Sequence, residues 1–215
     1  MKIEIKSWLN SRILFESEFG SLKLAVEAAV KARANLAGAN LAVADLAGAY
    51  LARAALAGAS LAGADLAGAD LAGANLAGAD LAGADLAVAN LAGADLAGAY
   101  LARADLAGAN LAGADLAGAD LAGAYLARAD LARANLGNGQ KATTQPVFLI
   151  ANGYTAMITD RHIKIGCAVK TTEGWAELDA DAIKREFTPH LGCLWDMWRE
   201  PLLAVARAHQ GRVES

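Results

Sequence analysis

The sequence is short of aromatic residues, of cysteine and of long uncharged segments, and each shortage excludes something. Aromatics make up 6% of the 215 residues although hydrophobic residues reach 56%. The apolar content is therefore mostly Ala and Leu, too Ala-rich for a conventional core and too regular for a disordered segment. Two cysteines, Cys167 and Cys193, do not make a disulfide framework, so a reducing, cytoplasmic location is expected. In the Ala-rich middle of the chain the longest charge-free stretches, such as residues 54–64, fall well short of the roughly 20 residues a membrane span needs. The opening Met1-Lys2-Ile3-Glu4-Ile5-Lys6 lacks the apolar segment of a signal peptide. No Ser-His-Asp arrangement, paired-acid motif, Walker loop or dinucleotide fingerprint is present. Neither catalytic residues nor a cofactor are expected, and the chain reads as a non-enzyme.

Charge is unevenly spread. The net charge is −4, yet residues 34–138 hold ten Asp and four Arg, giving −6, while the flanks hold thirteen acids and fifteen bases, giving +2. An acidic middle makes nucleic acid an unsuitable direct partner for it.

What fills that middle is a repeat. Leu recurs at every fifth position from Leu36 to Leu136, twenty-one times without a gap. Ala stands two residues before each Leu, and Asp or Asn stands between them in most units. Ala follows each Leu except the last, where Gly137 stands, and the fifth position is usually Gly. A period of five suits no straight element. On a helix each Leu would turn about 140° from the last and no apolar stripe could form. On a strand an odd period would send successive Leu side chains to opposite faces. The pattern is consistent only if every unit contains a corner. Ala and Leu then point inward, Asp or Asn points outward, and Gly at the second corner position takes the positive φ of a type II turn. Val43, Val88 and the Arg residues at that position predict corners that depart from the type II form.

This A-(D/N)-L-x-x pattern resembles the pentapeptide-repeat family over all of residues 34–138. The resemblance implies a β-solenoid, a right-handed quadrilateral β-helix in which four units make one square coil. Twenty-one units then make a little over five coils, a rod roughly 25 Å tall at about 4.8 Å per strand spacing. Stacked positions would lie 20 residues apart. One outward column then reads Asp45, Asp65, Asp85, Asp105 and Tyr125, and it is the candidate binding surface. Such stacked carboxylates repel by roughly 1 kcal/mol per neighbour in water. The column is either tolerated because Asp suits the local backbone or kept for its charge. The Tyr-Leu-Ala-Arg modules at Tyr50, Tyr100 and Tyr125 fall on three different faces, as duplicated blocks would.

Both flanks suit the ends of a solenoid, whose open edges need cover. Residues 1–33 read as a hairpin, with Ile3 and Ile5 in one strand and Ile13-Leu14-Phe15 in the other, followed by a helix that starts after Ser21. This order, with the "MKIEIK" opening, resembles phage and prophage members of the family. Residues 139–215 read as a small α+β domain. Val147 to Ala151 and Thr155 to Thr159 form a hairpin about Asn152-Gly153, and Ile163 to Val169 forms a third strand. A helix is expected near Glu173, and a longer one from Leu191 to Ala208 with Trp195 and Trp198 on its apolar stripe. His162, Cys167, His190 and Cys193 are spaced His-x4-Cys and His-x2-Cys, which invites a zinc site, although both thiols sit in apolar segments where buried Cys is ordinary.

The function expected is that of a non-catalytic, rigid protein-binding or structural scaffold, with a protein partner and no membrane. In a phage setting the partner would be a host protein. The resemblance also implies a DNA-mimic alternative, since family members bind type II topoisomerases such as gyrase, and a homodimer through the C-terminal domain would lengthen the rod. A consensus-like engineered solenoid without a natural target is the remaining alternative.

Overall fold

The structure, a computed structural model, describes residues 1–137 throughout and, beyond them, the backbone of five short strands together with Leu203. Each five-residue unit contributes one outward residue to a parallel ladder. Bridges join every outward residue to the one 20 positions on, from Asn35↔Ala55 to Asp115↔Asn135. Four units therefore make one turn of the coil.

The hydrogen bonds explain why the period is stable. The N–H of Leu56 donates to the Asn75 carbonyl at 2.8 Å, and the N–H of Asn75 donates back to Ala54 at 2.9 Å. Between these rungs the corner closes on itself, with the Ala59 N–H donating to the Leu56 carbonyl at 3.0 Å. The corner also bonds upward, Gly58 N–H to the Ala77 carbonyl at 2.9 Å. Repeated in unit after unit, this pattern pairs the backbone polar groups of the coil interior, as a buried backbone requires. The side chains complete the design. Every Leu from Leu36 to Leu136 is at most 2% exposed, and the inward Ala residues from Ala39 to Ala134 line the rest of an apolar axis.

The corners correct one expectation. Gly58 and Gly78 take φ of +62° and +64°, but Val43, Arg53, Val88, Arg103, Arg128 and Arg133 take φ between +52° and +62° and keep the same turn. The turn hydrogen bond survives too, Ala44 N–H to Leu41 at 3.2 Å and Ala89 N–H to Leu86 at 3.0 Å. Bonds to a neighbouring coil hold each of these corners, on both sides at Val88 and Arg103, so the side chain accepts a left-handed backbone instead of changing the turn. For a β-branched residue that conformation is strained. Val43→Gly and Val88→Gly are each expected to stabilise the protein by about 0.5–1 kcal/mol, net of the entropy that Gly loses on folding. A thermal melt reads this directly; an unchanged or lower Tm in both would show that the corners store no strain.

At the N-terminal end, β1 (Lys2–Lys6) pairs antiparallel with β2 (Ile13–Glu18), with a register shift between Ile5 and Lys6. The helix α1 (Leu22–Lys31) starts where the Ser21 hydroxyl accepts from the Leu24 N–H at 3.3 Å. It ends with Arg33 left-handed at φ +54° and the Ala34 N–H bonded back to Ala29 at 2.9 Å, a Schellman-type stop. Ile5, Ala25, Val26 and Ala29 are buried in one cluster with the Leu ladder. The open edge of the coil is closed by this cap. Asn40 N–H donates to the Lys6 carbonyl at 2.7 Å and Trp8 N–H to Gly38 at 2.9 Å. On another side the helix supplies side chains instead: Lys23 Nζ donates to the Ala47 carbonyl at 2.6 Å, and the Glu27 carboxylate accepts the Tyr50 N–H at 3.0 Å.

At the other end, β3 (Asn135–Gly137) turns back onto β4 (Gln140–Lys141). A four-stranded antiparallel meander follows: β5 (Val147–Ala151), β6 (Tyr154–Ile158), β7 (His162–Ile165) and β8 (Ala168–Thr171). The single strand expected from Ile163 to Val169 is thus two, paired through Ile165↔Ala168. Gly166 inside that apolar run is the signal that divides it. The helices expected near Glu173 and over Leu191 to Ala208 lie outside the described residues, save that Leu203 is buried.

Candidate functional site

The parallel bridges Asp45↔Asp65, Asp65↔Asp85 and Asp85↔Asp105 place the four carboxylates in one column, with Tyr125 above them. Their local role is visible first. Asp65 Oδ1 accepts the Ala67 N–H at 3.0 Å, Asp85 that of Ala87 at 2.9 Å, Asp105 that of Ala107 at 2.9 Å, and Asp45 that of Ala47 at 3.3 Å. This Asx-type bond satisfies the one corner N–H that the coil does not use, and Asn35 and Asn75 make it as well. Asp and Asn are therefore structural at every such position.

The column nonetheless differs from its neighbours. On other faces an Asn amide donates to the side chain stacked beside it: Asn90 to Asp70 at 3.0 Å, Asn110 to Asn90 at 3.3 Å, and Asn135 to Asp115 at 3.0 Å. Asp45, Asp65, Asp85 and Asp105 have no amide among them, and among the described residues no cation pairs with them. Asp45, Asp65 and Asp85 are exposed, and Asp105 is half-buried.

The corners beside this face bring further side chains to it. Turn positions stack at the same 20-residue interval: Val43, Gly63, Gly83 and Arg103 line one edge of the acidic face, and Gly48, Gly68, Val88, Gly108 and Arg128 line the other. Val43 and Val88 are 81% and 68% exposed, so two apolar side chains flank the carboxylates, one on each edge. Arg103 and Arg128 stand at the upper end. The signal that finds them is the interval applied to the fifth position of the unit as well as to the second.

Of the metal-capable set, His162 opens β7, while Cys167, His190 and Cys193 lie outside the described residues. Among the described residues no group of three or more metal-ligating side chains comes together, and no helix is long and apolar enough to cross a membrane.

The family described as "Pentapeptide repeats" matches in 8 copies, over residues 34–73, 49–87, 69–106, 84–121 and 109–139. The chain belongs to the pentapeptide-repeat family. Proteins of this family are right-handed quadrilateral β-helices, and in general they are non-catalytic structural or interaction scaffolds. Among solved structures, this pentapeptide-repeat protein is similar to one from the cyanobacterium Cyanothece 51142, at 37% identity over 42% of this chain and 58% of that one, with a TM-score of 0.35. It is similar also to one from the thylakoid lumen of Arabidopsis thaliana, at 33% identity over 46% of this chain and 66% of that one, with a TM-score of 0.37. A third is HetL of the cyanobacterium Nostoc, involved in heterocyst differentiation regulation, at 38% identity over 49% of this chain and 54% of that one, with a TM-score of 0.25. The match thus spans less than two thirds of each of those chains. No curated protein matches this sequence significantly.

Proposed function

We propose that this pentapeptide-repeat protein is a rigid, non-catalytic scaffold that receives a basic surface of a protein partner on its acidic face, the partner in a phage setting being a host protein. The observation that carries this reading is the unpaired carboxylate column. Two other faces bridge stacked side chains through Asn amides, whereas Asp45, Asp65, Asp85 and Asp105, bonded only to their own corner N–H groups, repel one another with no amide or cation between them. Val43 and Val88 add apolar contact beside the charge, which a protein surface uses and a solvated face does not need.

Replacing the four Asp residues together by Asn tests it cleanly. Asn keeps the Asx bond and can add a side-chain ladder, so the variant should melt at or above the parent temperature. It should lose capture of a basic partner from bacterial lysate that the parent retains at low salt and releases at high salt. Equal capture by both proteins would sink the reading.

A second reading, mimicry of DNA toward an enzyme such as gyrase, draws on the same row of carboxylates at about 4.8 Å spacing. Arg103 and Arg128 at its upper end weigh against a phosphate-like track. Gyrase supercoiling left intact by a large molar excess of the protein would end that version.

A further inference from the structure

Departures from the repeat also converge elsewhere on the rod. Turn residues Arg53, Gly73, Gly93, Gly113 and Arg133 share one corner column, and Arg33, at the stop of α1, lies beside its lower end, lining the same depression as Arg53. The outward residue beside them is Ala55, which stands where other units carry Asp, Asn, Ser or Tyr. It is bridged to Asn35 below and Asn75 above, so the face holds no carboxylate at these levels. Lys31, at the end of α1, completes the group. Together Lys31, Arg33, Arg53, Ala55, Val30 and Ala52 line an open depression of about 480 Å³.

We infer that this depression is a binding site for a compact diphosphate anion. Among the described residues, ion pairs are confined to Lys2, Lys6, Glu4 and Glu16 of the hairpin, so Lys31, Arg33 and Arg53 make none there. Arg33 and Arg53 line the same depression, where an anion between them would relieve the repulsion of their charges, and each guanidinium offers a planar fork that matches phosphate oxygens. Three carbonyls at the end of α1 are already occupied: Ala28, Ala29 and Val30 accept from Ala32, Ala34 and Arg33. Both arginines hold left-handed backbone, φ +54° at the stop of α1 and φ +60° at a coil corner, where Gly is the unstrained choice, so the positive charge is kept at a conformational cost. The rest of the repeat is acidic, with Asp70 one level above Tyr50 and the Asp45 column on another face. An extended polyanion such as duplex DNA would meet those carboxylates; a diphosphate fits within the basic patch alone. This site is independent of the acidic face and of the partner proposed for it.

Calorimetric titration of the full chain with sodium pyrophosphate at fixed ionic strength tests the site, with ADP as the arm that separates a nucleotide from free pyrophosphate. Saturable binding at one site per chain is expected. The double variant Arg33→Gly with Arg53→Gly, and separately Ala55→Asp, should each weaken it at least tenfold. Gly at position 53 and Asp at position 55 are residues that other units of this rod already use at those places. Gly also suits the left-handed stop of α1 at residue 33, so the variants should fold, and their melts would confirm it. Arg128→Gly, on a different corner, should leave the affinity unchanged. Absence of saturable binding, equal affinity in both site variants, an equal loss in Arg128→Gly, or equally strong binding of sulfate would each overturn the proposal.

Discussion

Leu86→Asp is expected to remove the cooperative melt of the rod, or to lower it by more than about 4 kcal/mol in equivalent stability. Leu86 is fully buried, stacked between Leu66 and Leu106 in a column 20 residues apart. Removing it alone would cost roughly 3–5 kcal/mol in lost transfer and cavity energy. The carboxylate adds a further penalty, because an Ala- and Leu-lined axis offers it neither cation nor donor. Each coil contacts only its neighbours, so damage in the middle separates two short stacks, neither of which is well supported. Circular dichroism and limited proteolysis should show loss of the melt and cleavage near residue 86. An intact melt would contradict the packing described for the axis.

Deleting residues 1–33 is expected to drive the chain into higher oligomers or aggregate. The deletion strips Ile5, Ala25, Val26 and Ala29 from the end of the Leu ladder. It also frees the backbone groups now bonded to Lys6, Trp8, Lys23 and Glu27: the Asn40 and Tyr50 N–H groups and the Gly38 and Ala47 carbonyls. Trp8 additionally donates its indole N–H to the Gly58 carbonyl at 2.8 Å, one level higher, so the cap is tied to more than the first rung. An uncovered parallel edge above an exposed apolar axis is a template for another chain. Size-exclusion chromatography with light scattering reads the outcome. A truncated chain that stays at the parent's oligomeric state and melts as the parent does would show that the cap is dispensable.

Much of the fold was legible because a five-residue period admits so few solutions. Leu at one position and Ala two before it have to point the same way, and only a corner in each unit allows that. Ser21 marked the helix start for an equally local reason, its hydroxyl meeting an N–H three residues on. The Asp and Asn positions were legible too, since their bond to the N–H two residues away lies within one unit. The β7–β8 hairpin was harder, because Gly166 interrupts a run whose hydrophobicity continues across it.

By itself, then, the sequence determined everything set by spacing inside a unit or by repetition of units: the inward ladders, the outward columns and the family. Tertiary structure decided what depends on neighbours far along the chain. It held Val43, Val88 and the arginines in left-handed corners, because bonds to adjacent coils outweigh one residue's conformational preference. It set Lys23 and Glu27 on the coil edge some two dozen residues away, a pairing that the docking of α1 creates. And it brought Lys31, Arg33 and Arg53 to one depression, and Val43 and Val88 to two edges of one acidic face, because stacking converts a distance of 20 residues in sequence into one strand spacing in space.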